Sequence, residues 1–412
     1  MGWLALAVAV LAGAGLAQAL AGCLAAARFT ARAASPGQVP PALPPITILK
    51  PLHGAEPLLE EALASACTQN YPQYQIVCGV AVEDDPAVAV VRRLQARFPA
   101  RDITLVIDPT PHGVNGKVGN LINMLPAARH PLLAISDSDV HTPPGYLAAV
   151  AEALAAPGTG LVTAVYAGLA FPLTRAARLG ATAITHIFLP GALLARALGR
   201  QDCLGATMAL HRDTLAAIGG LESLADNLAD DNLLGRKVRA LGLKVGLARL
   251  AVSTTVPEPT LAALWRHELR WARTIRRLEP AGFAASAVQY PLGWAALAVV
   301  LRGATPGALA AFAAAWALRA AFAAALDTRL GLAKSGLATR APIWLLPLRD
   351  VLSLAVFVAS YASDRVEWRG RKMRTALDKS AVQTTSNSVT SSREGATPSA
   401  TPAPPPLGDP RR

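Results

Sequence analysis

The 412-residue sequence is poor in charged residues, aromatic residues and cysteine. Only 16% of the residues are charged, below the about one quarter that is usual in soluble domains, and 5% are aromatic. The four cysteines, Cys23, Cys67, Cys78 and Cys203, form no C-x-x-C pair, which argues against a zinc site and a disulfide framework and indicates reduced core thiols. No nucleic-acid-binding motif accompanies the formal charge of +12, so the predicted partners do not include DNA or RNA.

Apolar residues are abundant instead. They make up 52% of the chain, and the mean hydropathy is +0.35, which predicts that part of the protein lies in lipid. Residues 1–27 carry no charge and precede Arg28 and Arg32, a pattern that favours a transmembrane anchor over a signal peptide. The positive-inside rule then places the following domain in the cytoplasm. Residues 28–45, which end in SPGQVPPALPP, are predicted to be a linker.

Residues 46–259 alternate short apolar runs with amphipathic stretches. Candidate strands begin at Ile46, Tyr74, Ile103, Pro131, Gly160 and Leu243. This alternation predicts an α/β domain with a mostly parallel sheet and helices on both faces. Ligands of such sheets bind at the carboxyl ends of the strands.

Three apolar segments follow within residues 281–364 and are predicted to be membrane segments: Phe283–Leu301, Ala304–Leu326 and Ile343–Ala362. Arg319, Arg349 and Asp350 lie inside them, so they either face a protein interior or cavity, or Arg349 and Asp350 pair with each other in a broken helix. Basic residues flank the third segment on both sides, which leaves open whether it crosses the membrane. Residues 375–412 are polar and Pro-rich and are predicted to be disordered.

Two carboxylates follow the apolar run in HPLLAISDSDVHTPP. If the strand continues to Asp139, then Asp137 and Asp139 point to the same side, because side chains alternate along a strand. Such a pair suits Mg²⁺ or Mn²⁺, with positions left open for phosphate oxygens. The alternative is an exposed turn with an aspartate at each end.

Two further motifs lie near predicted strand ends. Asp85, in VEDDP, either hydrogen-bonds a nucleotide base or ribose, or caps the helix that Pro86 begins. Lys117, in HGVNGKVGNL, either reaches a diphosphate or the metal-binding carboxylates, or is a solvated lysine in a flexible loop.

The segment ESLADNLADDNLLGRKV offers a general base for attack by an alcohol. Asp226, Asp230 and Asp231 precede a predicted helix, and helix capping is the alternative role for Asp230, whereas Asp231 does not need that role. Residues 260–280 then predict a basic amphipathic helix at the membrane interface, on which Arg270 could bind phosphate.

Taken in order, ILKPLHGAEPLLEEAL, VEDDP, VNGKVGNL, ISDSD, LADDNLLGRKV and RHELRWART resemble the family 2 and 21 glycosyltransferases of GT-A (Rossmann-like) fold. Within that group the sequence is most similar to ceramide glucosyltransferases and to the bacterial hopanoid-biosynthesis glycosyltransferase. The resemblance implies a metal-dependent, inverting transfer from a UDP-sugar, UDP-N-acetylglucosamine or UDP-glucose, to a lipid hydroxyl. It also implies a multi-pass protein of the bacterial inner membrane.

The resemblance assigns a role to each matched residue. Asp85 binds the nucleotide, Asp137 and Asp139 form the metal site, and Asp231 is the general base. Arg270 and Trp271 end the Q/R-x-x-R-W motif, which lines the donor and acceptor pocket. His267 is a departure, because the family usually has Gln or Arg there, although a histidine still offers a hydrogen bond.

Other functions remain as alternatives. A processive polysaccharide synthase would need a larger bundle of membrane helices, and a dinucleotide-dependent dehydrogenase would need the G-x-G-x-x-G that the first strand lacks. A non-catalytic membrane scaffold leaves the acids at successive strand ends unexplained. For the acceptor, the sequence favours a hopanoid polyol such as bacteriohopanetetrol over ceramide or diacylglycerol.

Overall fold

The computed structural model describes residues 2–34, 43–363, 365–368 and 371–374. The predicted disordered tail, 375–412, and residues 35–42 of the predicted linker lie outside the described residues. The chain begins with helix α1, Gly2–Ala34, which covers the predicted anchor and continues into the segment predicted as linker. Alanine and leucine dominate α1 and are strong helix formers, so the helix does not end where the charges begin.

An eight-stranded mixed sheet forms the centre of the protein. Its strands are β1 Ile46–Pro51, β2 Tyr74–Val80, β3 Asp102–Ile107, β4 Leu132–Ile135, β5 Val140–His141, β6 Thr159–Ala170, β7 Met208–His211 and β8 Lys244–Val256. Their order is β3-β2-β1-β4-β7-β6-β8-β5. The neighbours β3, β2, β1 and β4 are parallel, as are β6 and β8, whereas β7 and β5 run antiparallel to their neighbours. The predicted mostly parallel sheet is confirmed, although its two short antiparallel strands were not predicted.

Helices cover both faces of this sheet, as predicted. They are α2 Leu59–Cys67, α3 Pro86–Arg97, α4 Gly116–Met124, α5 Tyr146–Leu154, α6 Arg175–Ala183, α7 Leu189–Ala197, α8 Arg212–Ala217 and α9 Asp230–Ala240. Helices α2, α3 and α5 contribute to one buried core, and α4, α8 and α9 to the other. Ile48 lies in the first core and its neighbour Leu49 in the second, because successive side chains of β1 point to opposite faces.

A helical region follows the sheet. It comprises α10 Leu261–Leu278, α11 Pro280–Ala285, α12 Pro291–Leu301, α13 Pro306–Leu330 and α14 Leu346–Ser360, and the strands β9 Arg365–Trp368 and β10 Arg371–Arg374 come after it. The predicted amphipathic helix at 260–280 thus corresponds to α10. The N-terminal helix α1 packs on α7, α12 and α13, so it forms one bundle with helices that follow later in the chain.

Among the described residues, four helical segments are long and apolar enough to cross a membrane: Gly2–Ala31, Arg175–Ala197, Pro306–Leu330 and Ile343–Ser360. The predicted segment Phe283–Leu301 lies in the helix pair Pro280–Gln289 and Pro291–Leu301, which is long and apolar enough when the two are taken together. The pair is bent by 65° where Pro291 begins α12. Proline cannot continue a straight helix, which explains the break. The segment Arg175–Ala197 was not predicted, and it is the most buried of the four inside the protein.

The charged residues of the predicted membrane segments face the protein interior. Arg349 is fully buried and binds Glu268 of α10 through two hydrogen bonds of 2.7 Å each. Asp350 accepts a hydrogen bond from the backbone N–H of Leu292 at 3.1 Å and lies 3.8 Å from Arg319. The alternative in which Arg349 and Asp350 pair with each other is therefore wrong, and the alternative in which they face the protein interior is confirmed. Adjacent residues of a helix point in different directions, so each charge finds its partner on a different helix.

Candidate active site

The acids of the ISDSD motif lie in a turn, because β4 ends at Ile135. The chain turns there, and β5 pairs with β8. The strand does not continue to Asp139, so strand alternation does not place Asp137 and Asp139 on the same side. Asp137 lies 2.6 Å from the ammonium of Lys117, whereas Asp139 accepts a hydrogen bond from the hydroxyl of Thr254 on β8. Burial, followed by the charge of Asp137, raises the pKa of Asp139 to about 6.

Lys117 connects two of the predicted acidic motifs. Its helix α4 begins after Asn115, whose side chain accepts hydrogen bonds from the first backbone N–H groups. The Lys117 ammonium lies 2.6 Å from Asp137 and 3.4 Å from Asp230. Burial opposes the charged form, but the neighbouring carboxylates outweigh it and raise the pKa of Lys117. The solvated-lysine alternative is wrong, because Lys117 is paired with carboxylates. Its contact with a diphosphate stays a prediction.

Asp230 and Asp231 begin helix α9. Ala229 occupies the capping position, so the alternative in which Asp230 caps the helix is wrong. Asp230 is buried and turned toward Lys117, whereas Asp231 lies beside Gly205, where an added Cβ would come within 3.1 Å of its carboxylate. Burial and then the charge of Asp230 raise the pKa of Asp231 to about 6. A raised pKa is suited to a general base that must also release its proton.

A buried lysine that the sequence analysis missed supports this turn. Lys50 on β1 is fully buried and donates hydrogen bonds to the Ser136 hydroxyl and to the carbonyls of Asp137 and Val140, at 3.0, 2.8 and 3.1 Å. Burial lowers its pKa to about 8, although Asp139 and Asp137 act in the opposite direction. The sequence signal for this residue was a lysine inside the apolar run ITILKP. Lysine is rarely buried unless it is paired, so a lysine in a buried strand indicates polar partners nearby.

Asp85 performs the capping role that the alternative interpretation assigned to it. Its side chain accepts hydrogen bonds from Ala87 N at 2.9 Å and from Gly54 N at 3.0 Å, so it joins the start of α3 to the loop after β1. The cap accounts for its local geometry. Its nucleotide-binding role stays a prediction.

The residues of the R-W motif gather around Glu258, just beyond the end of β8. His267 Nδ1 hydrogen-bonds a carboxylate oxygen of Glu258, and the His267 ring meets the Trp271 ring edge-on, with centroids 4.4 Å apart. Burial lowers the pKa of Arg270, and the nearby charge of Glu258 partly offsets this effect. The motif is joined to the acidic turn through β8, because Thr255 N donates to the Asp139 carbonyl at 3.1 Å.

The acidic turn provides ligands of the predicted kind for a divalent cation. No group of three or more His, Cys, Asp or Glu side chains in the described ranges could hold a metal ion, and the metal site at Asp137 and Asp139 stays a prediction. The Asp137 side chain is 36% exposed and can be reached from outside. Hard carboxylate oxygens with the remaining positions left to phosphate or water fit Mg²⁺ or Mn²⁺.

Comparison with known families decides the affiliation of the chain. The model of glycosyl transferase family 21 matches residues 7–381, almost the whole sequence. The chain belongs to glycosyl transferase family 21. This membership confirms the resemblance to family 21 that was drawn from the ordered motifs.

Curated relatives and solved structures show how distant the similarity is. Ceramide glucosyltransferase 1 of Caenorhabditis elegans is 25% identical over 239 residues, which are 57% of this chain and 50% of that protein. Ceramide glucosyltransferase of Komagataella phaffii is 34% identical over 131 residues, 31% of this chain and 25% of that protein. The chain thus matches half or less of these relatives' length. A mannosyltransferase from Pyrobaculum calidifontis, solved with GDP-Man and Mn²⁺, is 22% identical with a TM-score of 0.45 and covers 86% of this chain and 98% of that one.

Proposed function

We propose that this protein is a membrane-bound, inverting glycosyltransferase that moves a sugar from a UDP-sugar to the hydroxyl of a lipid. The observation that carries the proposal is the cluster of Lys117, Asp137, Asp230 and Asp231 at the strand ends of a family 21 chain. Helices apolar enough to cross a membrane flank this domain, which supports an acceptor delivered by the bilayer.

In this proposal each residue has a defined task. Asp231 takes the proton of the acceptor hydroxyl, whose oxygen attacks the anomeric carbon while the nucleoside diphosphate leaves from the opposite side. Arg270, with His267 and Trp271, lines the donor and acceptor pocket, and Asp85 binds the nucleotide. Mg²⁺ or Mn²⁺, held by Asp137 and Asp139, would neutralise the diphosphate and stabilise it as a leaving group.

The acceptor is a membrane lipid with a free hydroxyl. The ceramide glucosyltransferases among the relatives support a ceramide-type acceptor. A hopanoid polyol such as bacteriohopanetetrol is the competing acceptor that the sequence itself favours, and diacylglycerol is the third. We further propose that the protein resides in the bacterial inner membrane with the catalytic domain on the cytoplasmic side, as Arg28 and Arg32 after the uncharged residues 1–27 predict.

Membranes that contain the full chain test the proposal directly. They are incubated with radiolabelled UDP-glucose or UDP-N-acetylglucosamine, Mg²⁺ or Mn²⁺, and each of ceramide, bacteriohopanetetrol and diacylglycerol. We expect one labelled lipid that requires both the metal and Asp231, and its identity names donor and acceptor together. Absence of transfer to every lipid, or equal transfer by the Asp231→Asn variant, would contradict the proposal.

A further inference from the structure

Helix α10 is held by carboxylate contacts at two places. On the side of the sheet, Glu258 binds His267 of the helix. On the side of the membrane bundle, Glu268 of the helix binds Arg349 of α14 through both carboxylate oxygens, at 2.7 Å each. Glu268 is the residue that directly follows His267 in RHELRW, so the second contact lies inside the motif itself.

Arg349 is built into this contact on every side. Besides Glu268, its guanidinium donates to the Leu179 carbonyl of α6 at 3.2 Å and to the Ser353 hydroxyl at 3.1 Å. Its side chain is fully buried. One guanidinium therefore joins α14, α10 and α6, and its planar fork matches a carboxylate in a way that a lysine ammonium cannot.

The ion pair between Glu268 and Arg349 fixes the rotation of α10 about its own axis. Residues two apart on a helix lie roughly 200° apart around its axis, so Glu268 and Arg270 point to nearly opposite sides. Arg270 is three residues from His267 and lies on its side of the helix, where Glu258 is found. A helix fixed at Glu268 cannot turn about its axis without moving Arg270 and His267 away from that side.

We propose that Arg349 is a positioning residue, which holds α10 in the rotation that presents His267 and Arg270 to the donor diphosphate. This inference rests on the proposed glycosyltransferase function. Arg349, a charged residue in a predicted membrane segment, would then affect the reaction, because the helix bundle sets the orientation of α10. Breaking the bidentate contact should therefore reduce turnover even where the fold is retained.

The test compares two conservative variants of buried arginines in full-length protein. Arg349→Lys keeps the positive charge but loses the fork, and we expect kcat/KM for the donor to fall by up to about a hundredfold, since small misplacements near the reacting groups have effects of that size. Arg319→Lys is the matched control, because Arg319 is equally buried in the neighbouring helix α13 but bonds the His186 carbonyl and lies near Asp350. We expect that control to keep the wild-type kcat and donor KM.

A second variant guards against a loss of fold. In Glu268→Gln/Arg349→Gln no buried charge of the pair remains, so folding should survive while the rotation of α10 is no longer fixed. We expect this double variant to lose about as much kcat/KM as Glu268→Gln alone or Arg349→Gln alone, because the two residues act as one unit.

The outcomes separate this inference from the proposed function. If the wild type transfers sugar and Arg349→Lys retains its kcat and donor KM, the positioning role is wrong and the function stands. The positioning role is also wrong if Arg319→Lys loses as much kcat/KM as Arg349→Lys, or if the losses of the two single glutamine variants multiply in the double variant. If the wild type transfers to no lipid, the proposed function fails first.

Discussion

Two clusters of opposite charges lie within this protein, and they differ in their access to solvent. At the strand ends, Lys117 pairs with Asp137 and Asp230, and the Lys117 and Asp137 side chains are 21% and 36% exposed. At the bundle, Arg349 pairs with Glu268 and Arg319 lies near Asp350, and both arginines are almost completely buried. The first cluster can exchange a protein partner for a ligand, whereas the second is closed.

Ion pairs that differ in solvent access also differ in what they contribute to a folded protein. A partly hydrated ion pair contributes little stability and can be rearranged when a diphosphate or a cation arrives. A dry pair contributes little net stability compared with apolar residues, but it is strongly destabilising when one partner is removed, and it defines a single geometry. In our proposals, the open cluster therefore carries the chemistry and the closed cluster sets the orientation.

Replacing the proposed base should give the largest effect on the open cluster. Asp231→Asn keeps the shape of the side chain but cannot accept the hydroxyl proton, so transfer should fall by about 10²–10⁴-fold. Initial rates with saturating donor measure it. Asp226→Asn is the control, because Asp226 lies in the loop just before α9 and accepts a hydrogen bond from Val114 N at 3.3 Å. Equal rates in wild type and Asp231→Asn would remove Asp231 from the role of base.

Removing one partner of the closed cluster should give the largest effect on stability. Arg349→Met leaves the Glu268 carboxylate, whose side chain is only 15% exposed, without its cation, which should cost up to about 3–5 kcal/mol of unfolding free energy. Glu268→Leu/Arg349→Met, which removes both charges, should recover most of that loss. Denaturant or thermal unfolding in detergent measures both. A double variant as unstable as the single one would show that packing of α14, and not the unpaired charge, dominates.

The matching change in the open cluster should be smaller. Lys117→Met leaves Asp137 and Asp230 without their cation, but water reaches this cluster, so we expect a loss of about 1–3 kcal/mol. Added Mg²⁺ or Mn²⁺ should recover part of it, because a cation can take the place of the ammonium beside Asp137. A loss as large as that of Arg349→Met, with no recovery by metal, would contradict the distinction between an open and a closed cluster.

Sequence patterns predicted the sheet domain and the position of the acidic motifs near strand ends, because both depend on the order of residues within short segments. Apolar runs alternating with amphipathic stretches predicted the strands near Ile46, Tyr74, Ile103, Pro131, Gly160 and Leu243, each of which the structure contains. The strand β7 was missed because MALH is only four residues long, too short for an apolar run to indicate a strand by itself. The partners of the buried charges could not be predicted, since Arg349 and Glu268 are far apart in the chain and only tertiary packing brings them together.

The smallest expected effect is a shift in the pH dependence of kcat, which is set by the pKa of the proposed base, Asp231. Burial and the charge of Asp230 raise the pKa of Asp231 to about 6, Lys117 lowers it and Asp137 raises it further. A general base works only when ionised, so kcat should fall as the pH drops below about 6. Asp230→Asn removes a neighbouring negative charge, and this acid limb should move to lower pH while the Asp226→Asn limb stays in place. An acid limb that is the same in all three proteins would mean that a group other than Asp231 controls it, and the open cluster would then hold the donor without supplying the base.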